Sequence, residues 1–136
     1  MVIDSCFWFA LVKTSDGYHQ DAARISSKIF VPINRILVPF PSLYEVLNTT
    51  FMKEGRLSSF NEWMRNPSIQ LIQDDKYRLG ALEETMVQHG RDLSLVDNVI
   101  RNMLDDKRLD IRAIVTFNVK DFFDVCMNHQ IEIISA

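Results

Sequence analysis

The chain has 136 residues, 47% of them apolar, which is enough for one domain with a substantial core and excludes general disorder. A formal charge of −3 excludes a globally basic nucleic-acid binder and leaves room for a local basic face. The two cysteines, Cys6 and Cys126, make neither a disulfide framework nor a zinc cluster, so a reducing, cytoplasmic setting is expected.

The opening run from Met1 to Val12 is almost wholly apolar and reads as a buried strand flowing into a helix or turn. It is too short for a membrane span, and it carries Asp4 and lacks a basic leader, so neither a membrane anchor nor a secretory signal is expected. Asp4 is the exception in that run. A carboxylate there costs several kcal/mol, of order ~2–7 by transfer estimates, unless it is paired, hydrogen-bonded or bound to a cation. Two readings stay open: Asp4 caps the next helix, or it lies in a site at the strand's carboxyl end.

Tyr18, Ala22, Ile25 and Ile29 recur at helical spacing, which predicts an amphipathic helix from Tyr18 to Phe30, ended by Pro32. A short strand, Arg35 to Val38, follows. Ser42 and Glu45 form a Ser-x-x-Glu pattern that predicts a capped helix with Leu43, Val46, Leu47, Thr50 and Phe51 on its apolar face, stopped by Gly55. A short helix from Ser58 or Ser59 carries Phe60, Trp63 and Met64 and ends near Asn66-Pro67. Ile69 to Ile72 reads as a less central strand, and Lys76 to His89 as a helix. Ser94, with Asp97 three residues on, marks the start of a helix that buries Leu95, Val96, Val99, Ile100, Met103 and Leu104. Ile111 to Thr116 is a strand, Asn118 to Asp121 the turn beyond it, Phe122 to Cys126 a short helix and Ile131 to Ile134 the last strand.

Strands thus alternate with helices, which predicts a three-layer α/β/α domain over residues 1–136 with a mainly parallel sheet of four or five strands. In such a sheet, strand ends and the N-termini of the following helices lie on one side. Asp4, Glu45, Asp97 and the Asn118–Asp121 pair could converge there. A carboxylate cluster repels itself unless a divalent cation compensates, and an all-oxygen set suits Mg2+ or Mn2+. The alternative is that Glu45 and Asp97 are helix-start residues favoured by capping and the helix dipole. No glycine loop of the phosphate-cradling kind is present, and His19, His89 and His129 are far apart in sequence.

Four segments in order carry a resemblance. They are Val2-Ile3-Asp4-Ser5-Cys6, Pro41-Ser42-Leu43-Tyr44-Glu45-Val46, Asp92 to Ile100 with its Ser-Leu-Val-Asp core, and Ile114 to Phe122 with Thr-Phe-Asn-x-x-Asp-Phe. The chain resembles the PIN-domain ribonucleases, and more narrowly the toxins of VapBC-type toxin–antitoxin pairs. The resemblance implies a PIN-like fold, an endoribonuclease dependent on Mg2+ or Mn2+, an RNA substrate, an antitoxin partner and a homodimer. It implies metal and catalytic roles for Asp4, Glu45 and Asp97. At the fourth position, commonly Asp in the family, this chain has Asn118, a neutral ligand or water holder. Asp121 is then an accessory acid for both roles. Ser5 and Thr116 would orient carboxylates or water. Lys13, Arg24, Lys28, Lys53, Arg56 and Lys120 are candidates for RNA contacts; Trp8 and Phe9 are candidates for stacking, with core packing the favoured role; and the faces around Phe51, Phe60, Trp63 and Met64 either host the antitoxin or close the core. Two other readings remain. One is a catalytically weak PIN-like module that binds RNA or protein, encouraged by Asn118. The other is a phosphoacceptor domain, disfavoured because Asp4 has no acidic neighbour.

Overall fold

A computed structural model describes residues 1–87 and 92–136. Apolar runs form five strands: β1 (Val2–Ile3), β2 (Ile36–Pro39), β3 (Ile69–Ile72), β4 (Ala113–Val115) and β5 (Glu132–Ile134). They make one sheet in the order β3-β2-β1-β4-β5, every neighbouring pair parallel. Eight α-helices are described: α1 (Ser5–Val12), α2 (His19–Ile29), α3 (Phe40–Val46), α4 (Thr49–Lys53), α5 (Leu57–Met64), α6 (Arg78–Met86), α7 (Leu95–Asp105) and α8 (Val119–His129). A 3-10 turn, Lys107–Leu109, precedes β4.

The strand period of two sorts the core into two layers. Ile3, Ile36, Val38 and Val115 face one way and pack with Phe7, Trp8, Ile25, Phe51 and Phe60 of the helices on that side. Val2, Leu37 and Ile114 face the other way and pack with Ile100 and Leu104 of α7 and Phe122 and Val125 of α8. Helices therefore cover both faces, which is why the central strands are apolar throughout. Val2 pairs with Leu37 on one side and Ile114 on the other, so β1 lies at the centre of the sheet. β3 is an edge strand, as its composition predicts. Among the described residues no helix is long and apolar enough to cross a membrane.

Three local expectations are corrected. Ser42 does not cap a helix: α3 begins at Phe40, and Ser42 lies inside it, fully buried, with no hydrogen-bond partner for its Oγ among the described residues. Pro41 fits the first turn because its missing N–H would have no intrahelical partner there. The expected continuous helix to Gly55 is broken at Leu47-Asn48, where Asn48 accepts from Phe51 N and starts α4. Tyr18 and Leu95, both expected on buried faces, are 51% and 43% exposed: Tyr18 lies outside its helix, and Leu95 is the first residue of α7. His89 and Gly90, expected to close a helix, lie outside the described residues.

Candidate active site

The carboxyl end of β1 delivers Asp4 directly into the N-cap of α1. Its backbone N–H donates to Val115 O at 3.0 Å, so the β1–β4 pairing continues through this residue. Its side chain is 2% exposed and is held by donors. Ser5 N donates to Oδ1 at 2.7 Å, and Thr116 Oγ1 and Cys6 Sγ donate to Oδ2 at 2.8 and 3.1 Å. Both readings open from the sequence meet here: Asp4 is a cap, and it lies at the strand end where open α/β sheets bind ligands.

Ser5 links Asp4 to Glu45. Its hydroxyl donates to Glu45 Oε2 at 2.5 Å and lies 3.4 Å from Asp4 Oδ1. Glu45 comes from α3, which leaves the end of β2, the strand beside β1. Asp97 enters from the first turn of α7. A full capping box holds it: Ser94 Oγ accepts from Asp97 N at 3.1 Å, and Asp97 Oδ2 accepts from Ser94 N at 2.8 Å.

On the β4 side, Thr116 is fully buried and its Oγ1 also accepts from Asn118 N at 3.0 Å. Asn118 is the residue before α8 and its side chain is exposed, while Asp121 lies in the first turn of α8. The expected turn over 118–121 is thus the start of that helix. Arg101 ties the two helices together, donating to Asp121 O at 2.6 Å and to both carboxylate oxygens of Asp124 at 2.7 Å.

The electrostatics show which acids face one another. Burial pushes the Asp4 carboxyl above its ordinary pKa, the bonds from Cys6 and Thr116 oppose this, and the negative charge of Asp97 adds to the rise. Burial likewise raises Glu45, the bond from Ser5 opposes, and Asp4 and Asp97 both push it further up. Asp121 is raised by burial and then by Asp97, with Lys120 and Arg101 pulling the other way. Asp97 is therefore felt by all three. The Cys6 thiol, buried and beside Asp4, is pushed up to about 12 and serves as a neutral donor.

Such a set of oxygens, crowded enough for its anions to be disfavoured, is suited to a hard divalent cation. Its carboxylates form an open arrangement: among the described residues no three carboxylate, histidine or cysteine groups stand at ready-made ligand spacing.

Beside the acids runs a groove of about 570 Å3, bordered by Cys6, Lys13, Tyr18, Arg56, Phe117 and Asn118 among others. Lys13 and Arg56 are the only expected RNA-contacting cations in its walls, and Arg56 is ion-paired with Glu54. Arg24 is paired with Asp21 on α2. Trp8 is fully buried, which corrects its candidacy for stacking, and Phe9 borders the groove. Phe51 and Phe60 are core residues, with Trp63 and Met64 packed against them, so this group closes the core rather than offering a free partner face. Sequence reasoning missed Cys6 as a donor, Arg101 and the Tyr18–Phe117 pair. No local spacing signals the Arg101 role, because its partners Asp121 and Asp124 lie on another helix.

No protein-family model and no curated protein matches this sequence. Among solved structures the chain is similar to VapC20 of Mycobacterium tuberculosis, a toxin that cleaves the sarcin-ricin loop, with a TM-score of 0.70 at 16% identity. The likeness covers 90% of this chain and 93% of that one. With its all-parallel five-stranded sheet between two helical layers, the chain has the PIN-like α/β/α fold of a VapC toxin.

Proposed function

We propose that this protein is a divalent-metal-dependent endoribonuclease, the toxin of a toxin–antitoxin pair, with residues 1–136 as one PIN-like domain. One observation carries the reading: Asp4 and Glu45, from adjacent strand ends, are joined through Ser5, and the charge of Asp97 acts on both. Crowded carboxylates at strand ends of a PIN-like sheet are what a cation-assisted phosphodiester hydrolase needs, and the VapC20 likeness supports the choice of RNA.

In this reading Asp4, Glu45 and Asp97 hold the ion, with Asn118 and Asp121 at its margin. When bound, Mg2+ or Mn2+ supplies positive charge for the phosphodiester and lowers the pKa of water. The chain's own groups set the geometry. Thr116 and Cys6 fix the Asp4 carboxylate from behind, the Ser94 box fixes Asp97, and Ser5 holds Glu45 at the reacting side. Glu45 is half-buried with a raised pKa, and it takes the proton from the attacking water. Asn118 adds an amide where a further carboxylate would add charge, which favours a single ion over two. It also keeps a second reading in play, a PIN-like binding module with weak catalysis.

Partner surface is available for a second copy or an antitoxin: α6 leaves Leu79, Leu82 and Met86 exposed. In this reading a second copy covers that stripe.

The test uses purified protein, freed of partner, on labelled single-stranded and structured RNAs that include a sarcin-ricin loop. Cutting in Mg2+ or Mn2+ that stops in EDTA is the expected result. Tight RNA binding with no cutting in any metal would hand the protein to the binding-module reading.

A further inference from the structure

Three rings run from the core to the surface beside the acids. Phe7 is fully buried, and Phe117 lies over it with centroids 6.4 Å apart and planes at 26°. Tyr18 lies over Phe117 at 4.5 Å and 8°, a closely parallel stack, and is 51% exposed. The stack therefore ends on a half-exposed tyrosine bordering the groove, with one of its two ring faces turned away from Phe117. We propose that this face of Tyr18 is a stacking platform for a nucleobase of single-stranded RNA, held next to the acid cluster. The choice of RNA rests on the ribonuclease reading above, but the platform is tested separately from it.

Two features make the platform a fixed part of the molecule. Asp16 Oδ1 accepts from Tyr18 N at 2.8 Å, and His19 Nδ1 donates to Ala10 O at 2.8 Å, so both sides of Tyr18 are tied down. The carbonyl can only accept, which puts a proton on that ring nitrogen. Phe117 is fixed in turn, because its N–H donates to Cys6 Sγ at 3.3 Å.

Its location points to the substrate of the acids. Phe117, on which Tyr18 stacks, stands between Thr116, which binds Asp4, and Asn118, and Tyr18, Phe117 and Asn118 border the same groove. A nucleotide whose phosphate reaches the acids would have its flanking base within the groove. The groove's volume of about 570 Å3 is in the size range of small-ligand clefts, roughly 300–1,000 Å3. Charge in the groove is nearly balanced, since Arg56 is paired with Glu54 and the lining holds Asp16 as well as Lys13. Stacking, rather than attraction for phosphate, is what this wall offers, and stacking tolerates every base because each has a π-face. An acidic or basic peptide finds no matching charge there.

The experiment measures the affinity of the full chain for fluorescein-labelled ten-nucleotide RNAs by anisotropy, in EDTA and again in Ca2+, with intact RNA checked on a gel. One RNA is complete, and the others carry a single abasic ribose at successive positions. Tyr18→Ala is expected to weaken binding roughly 5- to 100-fold, the range of one lost base stack. Tyr18→Leu, which keeps an apolar cover on Phe117 without a ring, is expected to bind as weakly, and Tyr18→Phe within about twofold of the parent. An abasic ribose at one position should weaken the parent and leave Tyr18→Ala unaffected. Equal affinities for the parent and Tyr18→Ala, or equal sensitivity to every abasic position, would overturn the platform, as would a parent that binds none of the RNAs. Unchanged Tyr18→Ala affinity beside metal-dependent cutting removes the platform and leaves the ribonuclease standing. Binding that depends on Tyr18 and on one base, without any cutting, does the reverse.

Discussion

Asp4 and Glu45 have the same chemistry and different surroundings, and the difference assigns their work. Asp4 accepts from three side-chain or backbone donors and is almost inaccessible, so it is a fixed anchor. Glu45 has one side-chain donor among the described residues, the Ser5 hydroxyl, and is half-exposed, so it is the acid with freedom to exchange a proton. Its substitution by Gln keeps the acceptor for Ser5 and removes the charge. Because its folded pKa is raised from 4.5, native protein holds that proton more tightly than unfolded chain. The contribution to stability is full below about pH 4.5 and is lost as pH rises through the folded value. Glu45→Gln in EDTA should therefore gain in melting temperature over the parent as pH goes from about 4 to 7. RNA cutting should fall at least about a hundredfold, the scale of losing one key electrostatic group. A variant that melts lower than the parent at neutral pH would contradict the repulsion described for the site.

At the scale of elements, α7 carries Asp97 and is started by the Ser94 capping box. Ser94→Ala should cost about 1 kcal/mol in a urea titration and also reduce cutting, because it removes the acceptor of Asp97 N and loosens the turn that carries the Asp97 side chain. A stability loss with full activity would mean that the cap serves the helix alone. Farther along, Tyr77 Oη donates to Asp106 Oδ2 at 2.7 Å and joins the start of α6 to the end of α7. Arg108 and Tyr77 hold the Asp106 carboxyl well below its ordinary pKa of 3.8. That support is present above about pH 4 and is lost as the carboxyl protonates on acidification. Tyr77→Phe should then cost about 1 kcal/mol at neutral pH and nearly as much at about pH 3, where native Asp106 is still ionised, and a cost that vanishes by about pH 3 would contradict the low pKa. The start of α7 was legible in sequence because Ser94 and Asp97 sit at capping spacing before a strong apolar period. Ser42 and Glu45 show the same spacing and misled, because the helix had already started at Phe40 and packing, not capping, claimed the serine. Tyr18 shares the helical period of Ala22, Ile25 and Ile29 but precedes the first helical residue, and the period alone does not reveal where a helix begins.

For the molecule as a whole, the strand–helix alternation gave the layers, since central strands buried on both faces must be apolar throughout. The convergence of acids at the strand ends also follows from parallel topology, and the structure places Asp4, Glu45 and Asp97 within electrostatic reach of one another. The groove and its ring stack could not be read, because they join residues about a hundred positions apart, Tyr18 and Phe117. Binding a cation to native protein alone should raise the melting temperature, by an amount set by its concentration over its dissociation constant. The most direct measurement of the central claim compares the parent, Asp97→Asn and Asp75→Asn, the last a carboxylate exposed on the surface beside Arg78. All three are melted with and without Mn2+ and then incubated with labelled RNA. The account expects a Mn2+-dependent rise in melting temperature and Mn2+-dependent cutting in the parent and Asp75→Asn, and neither in a folded Asp97→Asn. Cutting that survives in Asp97→Asn, or a Mn2+ shift the same in all three proteins, would contradict it.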